Sequence, residues 1–294
     1  MLRADQSGPG RPTGRSLADT STTARSKVAQ VVAPTPFPEL NAILDELVDT
    51  TRAVLADNFV GAYLQGSFAV GDADEHSDVD FLIVTEDTVT PDQEARLAAM
   101  HAQFPDREVS WAQHLEGSYV PRRELRRFVA PAQPWLYIDN GSRVLERSVH
   151  DNDLVVRWVL HNHGLTLVGP PLNELVDQVE PEDLRQEMLT TMREWADALV
   201  EDEAGMDNAW HQPHVVLSYC RMLQTFHSGR VTSKLQAGRW ALTTLEVHWQ
   251  PLIQHALDHR PDPWVRVHQP ADPWTLPLTW EFIEVAVKSA AAGP

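Results

Sequence analysis

Two aspartates lie at the start of an apolar run in the segment LQGSFAVGDADEHSDVDFLIV, residues 64 to 84. Asp78 and Asp80 are separated by one valine. Because side chains alternate along a β-strand, both carboxylates point to one face, about 7 Å apart along the strand. Buried carboxylates are costly unless they are paired or bind a metal, and Mg²⁺ prefers carboxylate oxygens together with water and substrate phosphates. We therefore predict that Asp78 and Asp80 are magnesium ligands.

A Gly-Ser pair precedes these aspartates by ten residues. Gly66 and Ser67 follow the apolar segment FVGAYLQ, so they are predicted to form a turn at the end of a strand. A glycine lets a phosphate approach the backbone closely, and the serine hydroxyl and the turn amides are hydrogen-bond donors. This pair is therefore the predicted phosphate-binding turn.

The elements that position these residues follow from the hydrophobic periodicity and from the cap residues. The first part of the chain alternates helices and strands, and the second part is helical. Gly164 is predicted to end its helix in the left-handed conformation, and Gly229 is predicted to end a later helix. The predicted helices cover residues 40–58, 91–104, 152–164, 214–229, 233–247, 252–259 and 280–290, and a further helix starts at residue 181. The predicted strands cover residues 59–65, 79–85, 108–113 and 135–138. Residues 165–171 are predicted to form an extended segment.

Composition excludes several classes of protein. The 294 residues carry a formal net charge of −18, which disfavours a broad nucleic-acid surface and suits cationic partners. A single cysteine, Cys220, excludes both an internal disulfide and a cysteine-based zinc site, and it favours a reducing, cytoplasmic location. No apolar run approaches the ~20 residues that a membrane span needs. Residues 1–35 have the composition of a disordered tail.

Four stretches together resemble a known family. The Gly-Ser turn followed by Asp-x-Asp resembles the active-site motif of the nucleotidyltransferase superfamily typified by DNA polymerase beta. REVSW, LTLVGPPLNELVDQV and HVVLSYCRMLQTFHSGRVTSKLQAGRWAL resemble segments of the aminoglycoside adenylyltransferases that modify streptomycin and spectinomycin. The resemblance covers roughly residues 40 to 290.

The resemblance implies an α+β fold with two domains. Residues 36–170 would form a polymerase-beta-like nucleotidyltransferase domain, a mixed sheet with helices, and residues 171–294 a C-terminal helical bundle domain, with the boundary between residues 165 and 182. The implied reaction is transfer of AMP from ATP to a hydroxyl of an aminoglycoside, with release of pyrophosphate, two Mg²⁺ ions and a role in antibiotic resistance. The expected protein is a cytoplasmic monomer.

The resemblance also assigns roles to individual residues. Glu108 would take the proton from the attacking hydroxyl and join Asp78 and Asp80 at the metal. Arg221 and Lys234 would contact the ATP phosphates. The remaining assignments concern a small, cationic, polyhydroxylated substrate: Asp207 would bind its cationic groups, and Trp135 or Trp111 would stack on it.

Two alternatives stay open at this point. The acceptor could be a protein, an RNA end or another metabolite, because His211 stands where the resemblance leads us to expect an acidic residue. A non-catalytic nucleotide-binding module is the other alternative. The histidine clusters HNHG (161–164) and HQPH (211–214) are interpreted as ordinary helix residues, because no further metal ligand is evident near either cluster. The two histidines of HNHG are also two residues apart and therefore point in different directions on a helix.

Overall fold

A mixed six-stranded sheet forms the first part of the protein. The structure is a computed structural model that describes residues 33–291 and residue 293. The strands follow the spatial order β5-β4-β3-β2-β1-β6, and only β2 and β3 are parallel neighbours. The strands are β1 Phe59–Leu64, β2 Val79–Thr85, β3 Leu115–Pro121, β4 Trp135–Ile138, β5 Leu145–Ser148 and β6 Leu165–Val168.

Helices cover the sheet and form the second part of the described chain. The described residues from 33 onward belong to one compact unit. The helices are α1 Pro38–Leu55, α2 Gly66–Ala69, α3 Pro91–His101, α4 Arg122–Leu125, α5 Leu154–His163, α6 Leu172–Leu175, α7 Pro181–Glu201, α8 His211–Ser228, α9 Lys234–Thr244, α10 Gln250–Asp258, α11 Pro263–Arg266 and α12 Thr275–Ala291.

Strand β2 lies near the middle of the sheet and is buried along nearly its whole length. Its apolar sequence, VDFLIVT, suits a strand that is covered on both faces. The parallel register with β3 places Asp80 opposite Glu116. The N-terminal half of β2 therefore brings two carboxylates from different parts of the sequence side by side.

Helix α8 is the centre of the helical part. Most of its residues are buried, and α7, α9, α10 and α12 all pack against it. A helix that is apolar on nearly every side is expected to be surrounded in this way. Gly229 ends α8 with φ 65°, a left-handed conformation, and Ser233 caps α9 by accepting a hydrogen bond from the backbone N–H of Gln236. The end of α8 at Gly229 agrees with the sequence prediction.

The structure confirms the predicted α+β fold class and most of the predicted elements. The prediction of a strand over 108–113 was wrong: residues 108 and 109 lie in a bend, and Ser110–Gln113 forms a 3₁₀ helix. The strand in that region is β3, which begins at Leu115. Gly164 ends α5, but with φ −52°, so the left-handed stop predicted there was also wrong.

Residues 1–32 of the predicted tail lie outside the described residues. The last strand, β6, ends at Val168, and the elements that follow are helical, while the domain boundary between residues 170 and 171 stays a prediction. Among the described residues, no helix is both long enough and apolar enough to cross a membrane.

Candidate active site

Three carboxylates meet at the N-terminal ends of β2 and β3. Asp78 immediately precedes β2, Asp80 is its second residue, and Glu116 is the second residue of β3. One carboxylate oxygen from each lies within 4.8 Å of the others. Three carboxylates at this separation have the composition and spacing of a site for a hard divalent cation.

Hydrogen bonds from neighbouring side chains hold the Glu116 carboxylate in place. Tyr137 Oη donates to Glu116 Oε1 at 2.7 Å, and His150 Nε2 lies 3.1 Å from the same oxygen. Burial by itself raises the pKa of Glu116, but the hydrogen bonds from His150 and Tyr137 outweigh burial and lower the pKa below its ordinary value. Glu116 is therefore ionised at neutral pH.

The two aspartates lie in a more unfavourable environment. Burial raises the pKa of Asp78, and it raises the pKa of Asp80 well above the ordinary value, to which the charges of Asp78 and Glu116 add. Lys234 opposes both shifts. Removing three like charges from water is costly, and a divalent cation at this position would offset that cost. The donor set therefore fits Mg²⁺.

The turn after β1 is shaped by contact with the carboxylates. Gly66 has φ 55°, and a Cβ atom added there would lie 1.8 Å from Asp80 Oδ2. Only glycine therefore fits between the turn and Asp80. The neighbouring Ser67 Oγ is buried and has no hydrogen-bond partner among the described residues. A buried hydroxyl without a partner is unusual, and a bound phosphate oxygen would satisfy it.

Two cations from the helical part face the carboxylates. Burial and, less strongly, the charge of the nearby Arg221 lower the pKa of Lys234 to about 8, while the charges of Asp78 and Asp80 oppose this shift. Burial also lowers the pKa of Arg221, and the charge of Asp153 opposes this most strongly. The site therefore has an acidic side formed by the sheet and a basic side formed by α8 and α9.

Contacts from the helical part to the loop after Gly66 support this arrangement. Ser233 Oγ donates to Asp72, and Arg260 forms a two-atom salt bridge with Asp74, with Nη1 at 3.2 Å from Oδ1. Ser233 is the residue before Lys234. These contacts connect the start of α9 and the residues after α10 to the active-site loop.

Two family models match the chain. A model described as "Nucleotidyltransferase domain" matches residues 49–119, and one described as "Aminoglycoside adenylyltransferase, C-terminal domain" matches residues 174–266. An aminoglycoside (3'') (9) adenylyltransferase of Shigella flexneri is 26% identical over 231 residues, 74% of this chain and 84% of the relative. A spectinomycin 9-adenylyltransferase of Staphylococcus aureus is 24% identical over 215 residues, 69% of this chain and 79% of the relative. The chain belongs to the aminoglycoside adenylyltransferase family of nucleotidyltransferases.

The fold also matches that of a solved structure from this group of enzymes. The crystal structure of spectinomycin adenyltransferase from Enterococcus faecialis with ATP and spectinomycin aligns with a TM-score of 0.63 and 17% sequence identity. The alignment covers 83% of this chain and 98% of the other. The likeness shows that the order of sheet and helical parts is shared.

The structure places Glu108, the predicted catalytic base, away from a strand. Glu108 is exposed in a bend, and the charged group opposite Asp80 is Glu116, eight residues later in the chain. The placement of Glu108 on the third strand was therefore wrong. The physical reason is that two glutamates precede short apolar segments here, and only the pairing with β2 decides which segment becomes a strand.

Trp135 does not have the exposed face that was predicted for substrate stacking. Its side chain is 2% exposed, and its Nε1 donates to Glu124 at 3.2 Å, so this prediction was wrong. The alternative, Trp111, is half-buried against Phe37 and Phe68, with ring centroids 5.0 and 6.0 Å away. A tryptophan is large enough that a place in the core is often its most stable position.

Asp207 lies just before α8, as expected, and its side chain is exposed. Its Oδ1 accepts a hydrogen bond from the backbone N–H of Ala271 at 3.1 Å, so one oxygen already holds a loop in place. The second carboxylate oxygen keeps its capacity to accept further hydrogen bonds. A role for Asp207 in substrate binding stays a prediction.

The sequence analysis missed a set of polar residues behind the carboxylates. Asp151 is buried, and it accepts hydrogen bonds from Gln65 Nε2 at 2.9 Å and from Ser118 Oγ at 2.6 Å. Burial raises the pKa of Asp151 to about 6. These bonds join β1 and β3 below the site. The alternation in LEGSYVP, with Glu116 and Ser118 on one face, was a signal that could have identified this strand.

The histidine clusters have mostly structural contacts. Nδ1 of His161 lies 2.8 Å from the carbonyl oxygen of Val176, and Nδ1 of His211 lies 3.0 Å from that of Gly205. His214 differs, because its Nδ1 lies 3.4 Å from Lys234 Nζ and its ring faces Trp210 at 5.0 Å. Burial and the charge of Lys234 hold the pKa of His214 well below its usual value, so this histidine is a neutral member of the site.

Proposed function

We propose that this protein transfers an adenylyl group from ATP to a hydroxyl group of an aminoglycoside of the streptomycin or spectinomycin type, with release of pyrophosphate. The observation that carries the proposal is the meeting of Asp78, Asp80 and Glu116 opposite Lys234 and Arg221 in a chain of this family. The enzyme activity and its place in antibiotic resistance follow from the same relatives.

The site has the groups that nucleotidyl transfer requires. The reaction is an attack of a hydroxyl oxygen on the α-phosphorus of ATP, in which a new P–O bond forms while the bond to the β-phosphate oxygen breaks. Catalysis consists mostly of positioning and of neutralising charge. In this proposal Lys234 and Arg221 bind the triphosphate and Ser67 Oγ donates a hydrogen bond to it, which is supported by the two cations facing the carboxylates and by the lack of a partner for Ser67 Oγ among the described residues.

Glu116 replaces Glu108 as the proposed base. Its carboxylate is ionised and is oriented by Tyr137 and His150, and proton transfer from the acceptor hydroxyl to such a group contributes about 10² to 10⁴-fold in rate. Asp78, Asp80 and Glu116 would hold Mg²⁺, which acts as a Lewis acid and as a template for the phosphates when it is bound.

An aromatic group beside the cations is the proposed wall of the acceptor site. The rings of Trp210 and Trp195 lie on His214, with centroid distances of 5.0 and 6.4 Å, and His214 contacts Lys234. Trp195 and Trp210 are 36% and 37% exposed, so each presents an open face. A cationic sugar binds well to such faces, and the net charge of −18 attracts it over a longer range.

The test is to incubate the purified chain with MgATP and a panel of aminoglycosides while pyrophosphate is measured. We expect pyrophosphate release with streptomycin or spectinomycin and a product whose mass is increased by one adenylyl group. Absence of release with every compound in the panel would contradict the aminoglycoside assignment.

A different acceptor for the same chemistry is the second candidate. It is favoured by His211, which occupies a position where the family resemblance predicts an acidic residue, and by the burial of Trp135. Labelled ATP added to a cell extract, followed by mass spectrometry, distinguishes an adenylylated protein or RNA from a small metabolite. A label found on small cationic sugars alone would reject the second candidate.

A further inference from the structure

A second group of metal-binding side chains lies in the helical part, among the last helices. His255 in α10, His259 directly after α10 and Asp272 before α12 each offer a ligand atom, and these atoms lie within 4.8 Å of one another. Histidines four residues apart on a helix project from the same face, which is the spacing of many zinc-ligand pairs. None of the roles assigned to the active site uses these three residues.

A hydrogen bond holds the ring of His259, which is stacked on the ring of His255 with the centroids 3.8 Å apart. Nδ1 of His259 lies 2.9 Å from the carbonyl oxygen of His255, and only a protonated Nδ1 can donate to that oxygen. The lone pair of Nε2 is then available for a metal. A hydrogen bond from the second ring nitrogen to a carbonyl is the usual way in which proteins hold a ligating histidine.

The separation of His255 and Asp272 favours a shared ion over a direct contact. His255 Nε2 and Asp272 Oδ2 are 3.6 Å apart, beyond the ordinary range of a hydrogen bond. Two ligands that bind one tetrahedral zinc ion at 2.0–2.1 Å lie about 3.4 Å from each other. A direct ion pair would also need a proton on His255, whereas the neutral ring is the form that binds a metal.

We propose that His255, His259 and Asp272 bind one divalent transition-metal ion, with Zn²⁺ as the best match to two imidazoles and a carboxylate. The Asp272 side chain is 53% exposed, so a water molecule can reach the remaining coordination position. His255 is only 11% exposed and packs against the ring of Trp274 at 5.1 Å, which fixes one side of the site.

The position of the site points to a structural role. Asp272 belongs to the loop between α11 and α12, and hydrogen bonds from this loop hold the chain before α8. The backbone N–H of Ala271 donates to Asp207 Oδ1 at 3.1 Å, and that of Ala209 donates to the carbonyl oxygen of Gln269 at 2.9 Å. A metal at Asp272 therefore fastens α10 to the loop that positions the start of α8.

The experiment uses the full chain without an affinity tag, freed of metal by a chelator. Zn²⁺ alone is titrated by calorimetry, and Co²⁺ alone by visible absorption. We expect one bound equivalent that is retained in Asp80→Asn, since that change alters only the carboxylate cluster. His259→Gln and Asp272→Asn should each weaken Zn²⁺ binding by at least about tenfold. His268→Gln, which alters an exposed histidine outside the group, is the matched control and should bind as the natural chain does.

Two outcomes would overturn the proposal. One is equal Zn²⁺ affinity in the natural chain and in both variants of the site, and the other is loss of binding in Asp80→Asn alone. Circular dichroism checks that each variant is folded. If His259→Gln does not fold, Asp272→Asn decides the question, because its side chain is half-exposed and its loss leaves no buried group unpaired. Neither outcome depends on the adenylyl-transfer activity.

Discussion

Replacing Glu116 with glutamine tests the assignment of the catalytic carboxylate most directly. Glutamine keeps the size of the side chain and keeps an oxygen that can accept the hydrogen bond from Tyr137 at 2.7 Å. It removes the charge that faces Asp78, Asp80 and Lys234. The change therefore separates the electrostatic role of the residue from its packing.

The expected loss in kcat is about 10² to 10⁴-fold, the usual contribution of a general base, which corresponds to about 2.7–5.5 kcal/mol of activation free energy. The free energy of unfolding should rise or stay the same. Glu116 is 8% exposed and lies beside two carboxylates, so loss of its charge removes a repulsion that the fold otherwise tolerates. A purely structural hydrogen bond would give the reverse pattern, with stability lowered by about 1 kcal/mol and kcat unchanged.

The assay measures pyrophosphate release at saturating MgATP together with urea unfolding of the same samples. Glu108→Gln is the matched control, because Glu108 is an exposed carboxylate on the segment that precedes β3. We expect the activity of Glu108→Gln to equal that of the natural chain. Full activity in Glu116→Gln, or a large loss in Glu108→Gln, would refute the reasoning that pairing with β2 selects the catalytic carboxylate.

Three further perturbations follow from the site and its supporting core. Gly66→Ala should abolish most activity, because the new Cβ would overlap Asp80. Gly71→Ala should remain active, because Gly71 also has a positive φ but no described atom lies within 4 Å of the new Cβ. Equal losses of pyrophosphate release in the two variants would contradict this expectation. Lys234→Gln should weaken ATP binding, measured by calorimetry, by about 10- to 100-fold, because one charge-assisted hydrogen bond is lost. Because the pKa of Lys234 is about 8, the affinity of the natural chain for ATP should fall above pH 8. Burial lowers the pKa of His101 to about 4, so below pH 6.5 the unfolded chain binds a proton at this residue that the folded chain does not bind. The free energy of unfolding should therefore drop by about 2 kcal/mol between pH 7 and pH 5. Urea titrations should show a smaller drop in His101→Gln.

The active-site strand and its turn could be predicted because their pattern is local. An apolar run with carboxylates two residues apart predicts both a buried strand and a shared face, and β2 has the predicted limits, Val79–Thr85. The same holds for helix ends. Thr90 and Gln93 form a capping box at the start of α3, and such a box can be identified from sequence because the bonds that define it join residues three apart.

The third carboxylate could not be chosen by local pattern. Glu108 and Glu116 are each followed by a short segment with apolar residues, and both segments were compatible with a strand. Of these two segments, only Leu115–Pro121 pairs with β2, in a parallel register that sets Glu116 opposite Asp80. Parallel pairing joins residues far apart in the chain, and its register depends on the whole sheet.

What the sequence by itself determined is the set of reactive groups: two aspartates on one strand face, with a glycine and a serine at the turn before them. These follow from residue types and from spacings within one element, which depend on backbone geometry alone. The tertiary structure decided which glutamate completes the site, that Trp135 is core, and that His255, His259 and Asp272 meet. Each of these is a contact between separate elements, and its position is set by the packing of the whole fold.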